Sequence, residues 1–556
     1  MVGKVEAPVK EAGFVSEPAR TMTGGQALVE MLKREGVDTI FGLPGVQLDG
    51  LFSALYDAQS EIKLIHTRHE QATAYMADGY ARSTGKIGVC LVVPGPGLLN
   101  ATAALSTAYA TNSPVLCITG QIQSNMIGVG RGLLHEIPNQ LEMVRSVTKH
   151  SARATTPEAI PALFAEAVRQ LRTGRPRPVE IEVPPDTFFA TGEVSLVSTL
   201  TERERPSGDP VLIAQAAKAL ASARFPMIFA GGGVQRGGAT AELLELAELL
   251  QVPVVMSSNG KGSISDRHPL ALTQYAGGLL SPQADVFFGV GTRFLDINNA
   301  PRSGSQTTIH LDIDPEEIGR NFVPDISLLA DVKTGLAALI DEIRRLKPAP
   351  TDRSETIATA KAQSTALLQS IEPQAGFANA IRAELPDDGV VVPEMTQLGY
   401  WSNMGFPVYE PNTYIGCGYQ GTLGFGFCTA LGVKVGNPDK VVISINGDGG
   451  FGFTMNELAT MSQHNIPVVA VVFNDSAYGN VKRIQQVDLG GKILGSELKN
   501  PDFVKLADAH GITGRRTDTP EGLRKALNES IKANEPTLIE VPVGQMPNPW
   551  KVMGFR

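Results

Sequence analysis

Short β-branched apolar runs recur along the chain. Each is followed by a glycine-containing turn, a segment with apolar residues at helical spacing, and another apolar run. That alternation predicts parallel sheets covered by helices, an α/β fold of three doubly wound parallel-sheet domains. The first block opens with the helical GGQALVEMLKREG and the strand-like DTIFGLPG, and runs from about Thr23 to Pro185. The middle block carries PMIFAGGGV, VPVVMSS, ADVFFGVGTRF and TTIHLDIDP between about Asp209 and Leu346. The third runs from about Ser364 to the end. The expected domains are residues 21–190, 205–347 and 364–556. TERERPSGD and the Pro-rich KPAPTDRSET are read as exposed linkers. Residues 1–20 mix charges with Pro and Gly, lack the apolar core of a signal peptide, and read as a flexible leader.

Two blocks echo each other. IGVCLVVPGPGLLNATAALSTAYATNSPVLCITGQ in the first reads strand, Gly-Pro-Gly turn, helix, Asn112-Ser-Pro114, strand. VVISINGDGGFGFTMNELATMSQHNIPVVAVVFND in the third reads strand, Gly-Asp-Gly turn, helix, Asn465-Ile-Pro467, strand. The shared order suggests related domains, one of which has gained acidic residues at its turns.

Those residues are Asp448 and Asp475, each at the end of a buried run and one helical crossover apart. Ligands gather at the carboxyl ends of parallel strands, where helix N-termini also point. Two hard carboxylates on one rim suit Mg²⁺ or Ca²⁺, which would bind a diphosphate against Gly447, Gly449 and the helix N-terminus. Alone, Gly-Asp-Gly would more simply be a tight turn. The strand-turn-helix-strand frame around it favours the metal.

Composition narrows the field. At 556 residues the chain needs more than one core. The formal charge of −9 and the lack of a basic stripe argue against a nucleic-acid partner. No run is long and apolar enough to span a bilayer. The four cysteines are scattered without C-x-x-C spacing and read as reduced core thiols, which suits a cytoplasmic protein.

The metal stretch resembles the motif of thiamine-diphosphate (ThDP) enzymes: GDG, a crossover, then a pair usually written Asn-Asn. RHEQATAYMADGYAR, PGPGLLNA, ITGQ, GTLGFGF and HLDIDPEEIGRN each resemble, in order, segments of the acetolactate synthase branch. The resemblance implies a pyrimidine-binding N-terminal domain, a nucleotide-binding-like central domain and a diphosphate-binding C-terminal domain. It implies ThDP and Mg²⁺ as cofactors, with Asp448, Asp475 and the carbonyl of Ala477 on the metal. Gly421, Gly447, Gly449, Gly450, Ser476 and Tyr478 would line the cofactor. Asp475 departs from the usual Asn, so two carboxylates would face one ion.

Read alone, Glu70 is a helix-first-turn glutamate favoured by the dipole. The resemblance makes it the family's glutamate, which hydrogen-bonds the cofactor's aminopyrimidine and so activates the thiazolium carbon. Leu423, otherwise a core leucine, matches the aliphatic residue that bends the cofactor. Gln397 resembles a diphosphate contact, with Leu398 where the family has His. Glu70 and the metal loop belong to domains that meet across a subunit interface in the family, which implies a homodimer or homotetramer.

At the substrate end, Gln121 resembles the glutamine near the substrate-derived adduct. His135 stands in GRGLLHEIPNQ, where the branch has Phe-Gln-Glu, and reads equally as a general acid–base or as a loop histidine. Ile484 replaces a Trp that favours a second 2-oxo acid as acceptor. Gly231-Gly232-Gly233, Asp312-Ile-Asp314 and Arg293 match the region that binds FAD or ADP in some relatives and stays empty in others. LDINNAPRSGSQ departs from the FAD-binding pattern.

The leading expectation is a carboligase of acetolactate synthase type that decarboxylates one 2-oxo acid and transfers the acyl unit. Its rivals on the same scaffold are a 2-oxo acid decarboxylase and a 2-hydroxyacyl(-CoA) lyase. A silent regulatory subunit would want Glu70 or the metal pair disrupted. A nicotinamide dehydrogenase would want G-x-G-x-x-G after an early strand, which GLPGVQ and PGPGLLN do not supply.

Overall fold

The computed structural model describes residues 17–198, 205–293, 306–349 and 351–554. The leader reading of residues 1–16 and nearly all of LDINNAPRSGSQ fall outside them.

The expected three parallel sheets are present. In the first domain β1 (Arg20–Thr23) pairs antiparallel with β8 (Thr191–Val194), closing the domain. Between them lie β2 (Thr39–Gly42), β3 (Lys63–His66), β4 (Gly88–Val92), β5 (Val115–Gly120), β6 (His150–Arg153) and β7 (Val179–Val183). They run parallel in the order 3-2-4-5-7-6. The central sheet has β9 (Pro226–Ala230), β10 (Val254–Met256), β11 (Ala271–Leu272), β12 (Val286–Val290), β13 (Thr307–Asp312) and β14 (Ile326–Leu329), ordered 11-10-9-12-13-14. The third has β15 (Val390–Pro393), β16 (Val442–Gly447), β17 (Val469–Asn474), β18 (Thr513–Arg516) and β19 (Thr537–Pro542), ordered 15-16-17-19-18. Its central strands are buried and mostly apolar because helices cover both faces.

The first and third domains share one core. Helix Glu70–Thr84 crosses helix Phe425–Gly436 so closely that a Cβ at Gly79 would stand 2.2 Å from Thr429 O, and one at Gly432 2.0 Å from Met76 O. Ala72, Ala77, Ala104, Phe427 and Leu431 pack in that seam. All four cysteines are buried and free.

Two boundary expectations need correction. Residues 17–20 are docked: Glu17 N donates to Leu196 O at 2.9 Å, and Arg34 pairs with its carboxylate at 2.7 Å. KPAPTDRSET is not a free linker either. Arg353 is buried and donates to the carbonyl of Arg224 at 2.6 Å. The helix Ser354–Gln369 then places Ile357 and Ala360 in the central core and Leu368 in the C-terminal one. A helix that serves two cores replaces the linker because its apolar residues have partners at both ends. No described helix is long and apolar enough to cross a membrane.

Candidate active site

β16 and β17 are adjacent and parallel, with Gly447 opposite Phe473. Asp448 and Asp475 therefore leave the sheet on the same rim. The turn that starts at Asp448 is short and buried, and Ser476 turns in a left-handed conformation at φ +54°. A returning segment clamps this loop through a single antiparallel bridge: Tyr478 N donates to Ser496 O and Leu498 N to Ser476 O, both at 2.8 Å.

A cavity of about 160 Å³ opens here. Gly447, Asp448, Gly449, Gly450, Asp475, Ala477, Tyr478, Gln397, Gly421 and Leu423 line it. Ser476 is exposed outside it. Leu423 is half-buried and projects into the space, not into the core.

The two carboxyls are within hydrogen-bonding contact of each other. Burial, joined by repulsion from Asp448, pushes Asp475 up to about 7, and burial also raises Asp448. Two close carboxylates must either share a proton or face a cation. This donor set, hard oxygens on one rim, fits a divalent metal of the Mg²⁺ class. Gln397 Nε2 donates to Asp475 Oδ2 at 2.6 Å, and its Oε1 accepts from Met546 N at 2.8 Å. In this chain Gln397 thus braces the Asp475 loop as well as lining the cavity. Asn500 Nδ2 holds Asp448 Oδ2 at 2.6 Å. Its distance along the chain left no sequence signal.

Glu394 also escaped sequence reasoning. It is fully buried against Gly450, one oxygen accepting from Gly424 N and the other without a hydrogen-bond partner. Burial pushes its carboxyl up to about 8. A Cβ at Gly450 would stand 2.3 Å from Glu394 Oε1, so this glycine serves internal packing as well as the cavity.

The N-terminal half is built at the switch in strand order, where β2 lies between β3 and β4. Glu70 is the first residue of its helix, capped by His69, whose Nδ1 accepts from Gln71 N at 3.2 Å. His69 is therefore a cap. Asn100 Nδ2 donates to Glu70 Oε2 at 3.0 Å, and Glu70 Oε1 faces Gly97. Gln121 is buried at the end of β5, its Nε2 donating to Glu182 at 3.3 Å and its Oε1 accepting from Ile122 N. His135 is half-buried with φ +68°, its Nδ1 3.0 Å from Gln47 Oε1. Glu70, Gln121 and His135 do not line the cavity of Asp448 and Leu423. Within one chain the two halves remain separate.

A further cavity of about 360 Å³ lies between the central domain and the other two. Gly231, Gly232, Gly233 and Arg293 line it. Arg293 stacks 4.0 Å over Tyr419 and donates to Ala110 O at 3.1 Å. Asp312 lies at the far end of this region, and Asp314 pairs with Arg175 at 3.0 Å.

Residues 22–143 match the thiamine pyrophosphate enzyme N-terminal TPP binding domain, 213–339 the central domain, and 394–541 the C-terminal TPP binding domain. The chain is 36% identical over 551 residues to a probable acetolactate synthase large subunit of Methanocaldococcus jannaschii, covering 94% of this chain and 92% of that protein. It is 36% identical over 540 residues to a probable 2-ketoarginine decarboxylase of Pseudomonas aeruginosa, covering 94% and 95%. Against the acetolactate synthase large subunit of Haemophilus influenzae it is 32% identical over 551 residues, covering 95% of each. The chain belongs to the thiamine-diphosphate-dependent enzyme family, in its acetolactate-synthase-like branch, as a carboligase or decarboxylase.

Proposed function

We propose that the chain acts with Mg²⁺ on 2-oxo acids, decarboxylating one and transferring the acyl unit to an acceptor. One observation carries this reading: a single cavity brings together the paired carboxylates, the glycine turn and Leu423. Asp448, Asp475 and the Ala477 carbonyl would hold the metal, and Gly449 and Gly450 the diphosphate. When bound, ThDP would supply a nucleophilic carbon and a sink for the electron pair that departing CO₂ leaves behind.

The chain's own residues supply the rest. Asn100 occupies one oxygen of Glu70 and leaves Oε1 to exchange a proton with the ligand. Leu423 shapes the floor of the cavity and displaces water. Gln121 and His135 form the substrate side. Because Glu70 lies apart from the metal cavity in one chain, a homodimer or homotetramer would complete each site with one chain's Glu70 and its partner's metal loop. The 360 Å³ cavity suits a nucleotide such as FAD or ADP. A cytoplasmic setting agrees with the four free, buried thiols.

Ile484, on helix Gly479–Val487, favours a second reading. Without the Trp that helps hold an acceptor acid, simple decarboxylation on the same scaffold is the alternative. Similarity to a protein named as a 2-ketoarginine decarboxylase points the same way.

Product analysis by NMR separates the two, with purified protein, ThDP and Mg²⁺ supplied with pyruvate or 2-ketoarginine. Acetolactate from pyruvate would support the carboligase. An aldehyde alone would favour the decarboxylase. No turnover with ThDP bound would overturn both.

A further inference from the structure

Behind the substrate side lies a buried polar chain that none of the matched motifs explains. Gln140, 1% exposed, follows the GRGLLHEIPN loop. Its Oε1 accepts from Gly95 N at 2.8 Å, and its Nε2 donates both to Gly120 O at 3.1 Å and to Glu182 Oε2 at 2.9 Å. Glu182 lies on β7, fully buried, and its other oxygen receives Gln121 Nε2 at 3.3 Å and Arg153 Nε.

Each end of this chain touches the site. Gly95 adopts φ +58° and packs so tightly against the 130–136 loop that a Cβ there would stand 2.3 Å from His135 O. Its carbonyl accepts from Leu99 N at 2.9 Å in the first turn of helix Pro96–Thr111, the helix that supplies Asn100 to Glu70. At the other end, Glu182 fixes the Gln121 amide. The continuous path is Glu70, Asn100, the Gly95 turn, Gln140, Glu182, Gln121.

Burying a carboxylate and an amide is costly unless every lone pair and proton is used. Both oxygens of Glu182 and both ends of the Gln140 amide are used. Fully satisfied buried networks rigidify what they join. An apolar pair of equal volume would hold the fold without defining these directions.

We infer that Gln140 and Glu182 are positioning residues, which set the orientation of Gln121 relative to the Glu70 helix and so align bound substrate with the activated cofactor. This rests on the reading that Gln121 faces the substrate.

The test compares Gln140→Met with wild type as ThDP- and Mg²⁺-loaded full-length protein, with pyruvate as substrate. Methionine keeps the volume and removes the three hydrogen bonds. Exchange of the cofactor's C2 proton in deuterated buffer needs Glu70 but no substrate. The expected result is C2 exchange within about threefold of wild type, with kcat/KM for pyruvate at least tenfold lower. Amide exchange should also accelerate in peptides covering 93–97 and 119–122. An equal fall in C2 exchange and kcat/KM would mark a merely structural role and overturn the inference, as would unchanged kcat/KM. If Gln140→Met does not fold, Glu182→Gln is read in the same way, since its amide turns a donor toward donors. If wild type binds ThDP yet does not turn over pyruvate, the functional reading fails separately. The amide-exchange comparison then decides: acceleration at both segments supports the positioning network, and no change at either overturns it.

Discussion

Thr107 Oγ1 and Thr422 Oγ1 lie 2.6 Å apart, joining helix Pro96–Thr111 to the loop that carries Leu423. The same helix contributes Asn100 to Glu70. One rigid element thus holds Glu70 at its first turns and braces the Leu423 loop further along. In the proposed dimer those two residues would serve different active sites.

Glu70→Gln keeps the side chain's volume and removes its ability to exchange a proton. Turnover should fall by at least ~100-fold, within the usual range for losing a general acid–base. ThDP affinity by calorimetry should change little. Activity near that of wild type would reject the assignment.

Asp448→Ala should abolish Mg²⁺-dependent retention of ThDP on gel filtration, because the remaining carboxylate and carbonyl leave the ion too few protein ligands. Asp475→Asn, which restores the family's usual residue, should retain it. Loss of retention in both variants would mean that this chain requires the second charge.

Leu423→Ala tests cavity against core. Leu423 is half-buried and lines the cavity, so the thermal midpoint should move far less than for a core leucine, whose truncation costs about 2–5 kcal/mol. Turnover should fall at least tenfold while metal binding persists. A core-sized stability loss would place Leu423 with the packing residues instead.

Glu394 predicts a pH dependence. Its carboxyl is raised from 4.5 to about 8 in the folded chain. Between those values the native state keeps a proton that the unfolded state releases, so this group lowers stability as pH rises through that window. Glu394→Gln removes the dependence. The variant's advantage in urea unfolding should grow by up to roughly 1.4 kcal/mol per pH unit between about pH 5 and 8, then level off. Parallel stability curves for the two proteins would show that Glu394 is ionised at neutral pH.

Local features were legible in the chain itself. β-branched runs ending in Gly-Asp-Gly, and an amphipathic crossover before the second aspartate, specify neighbouring strands and a shared rim. Pairing of β16 with β17 follows directly from them. His69 as a cap and Glu70 in the first helical turn are equally local, since a helix N-terminus favours both. The docking of residues 17–20 and of Arg353 was not legible, because charge and proline in a segment do not reveal a backbone carbonyl waiting elsewhere.

The sequence by itself determined the parallel-sheet α/β architecture and the acidic rim, since these depend on residue periodicity and short spacings, and its motifs carried the resemblance to the family. Only the tertiary structure decided that Gln397 and Asn500 brace the aspartates, that Glu394 lies buried against Gly450, and that Gln140 and Glu182 connect Gln121 to the Glu70 helix. These partners are tens of residues apart along the chain. A buried polar atom's partner is set by where the packed elements bring the chain together, which no local pattern encodes.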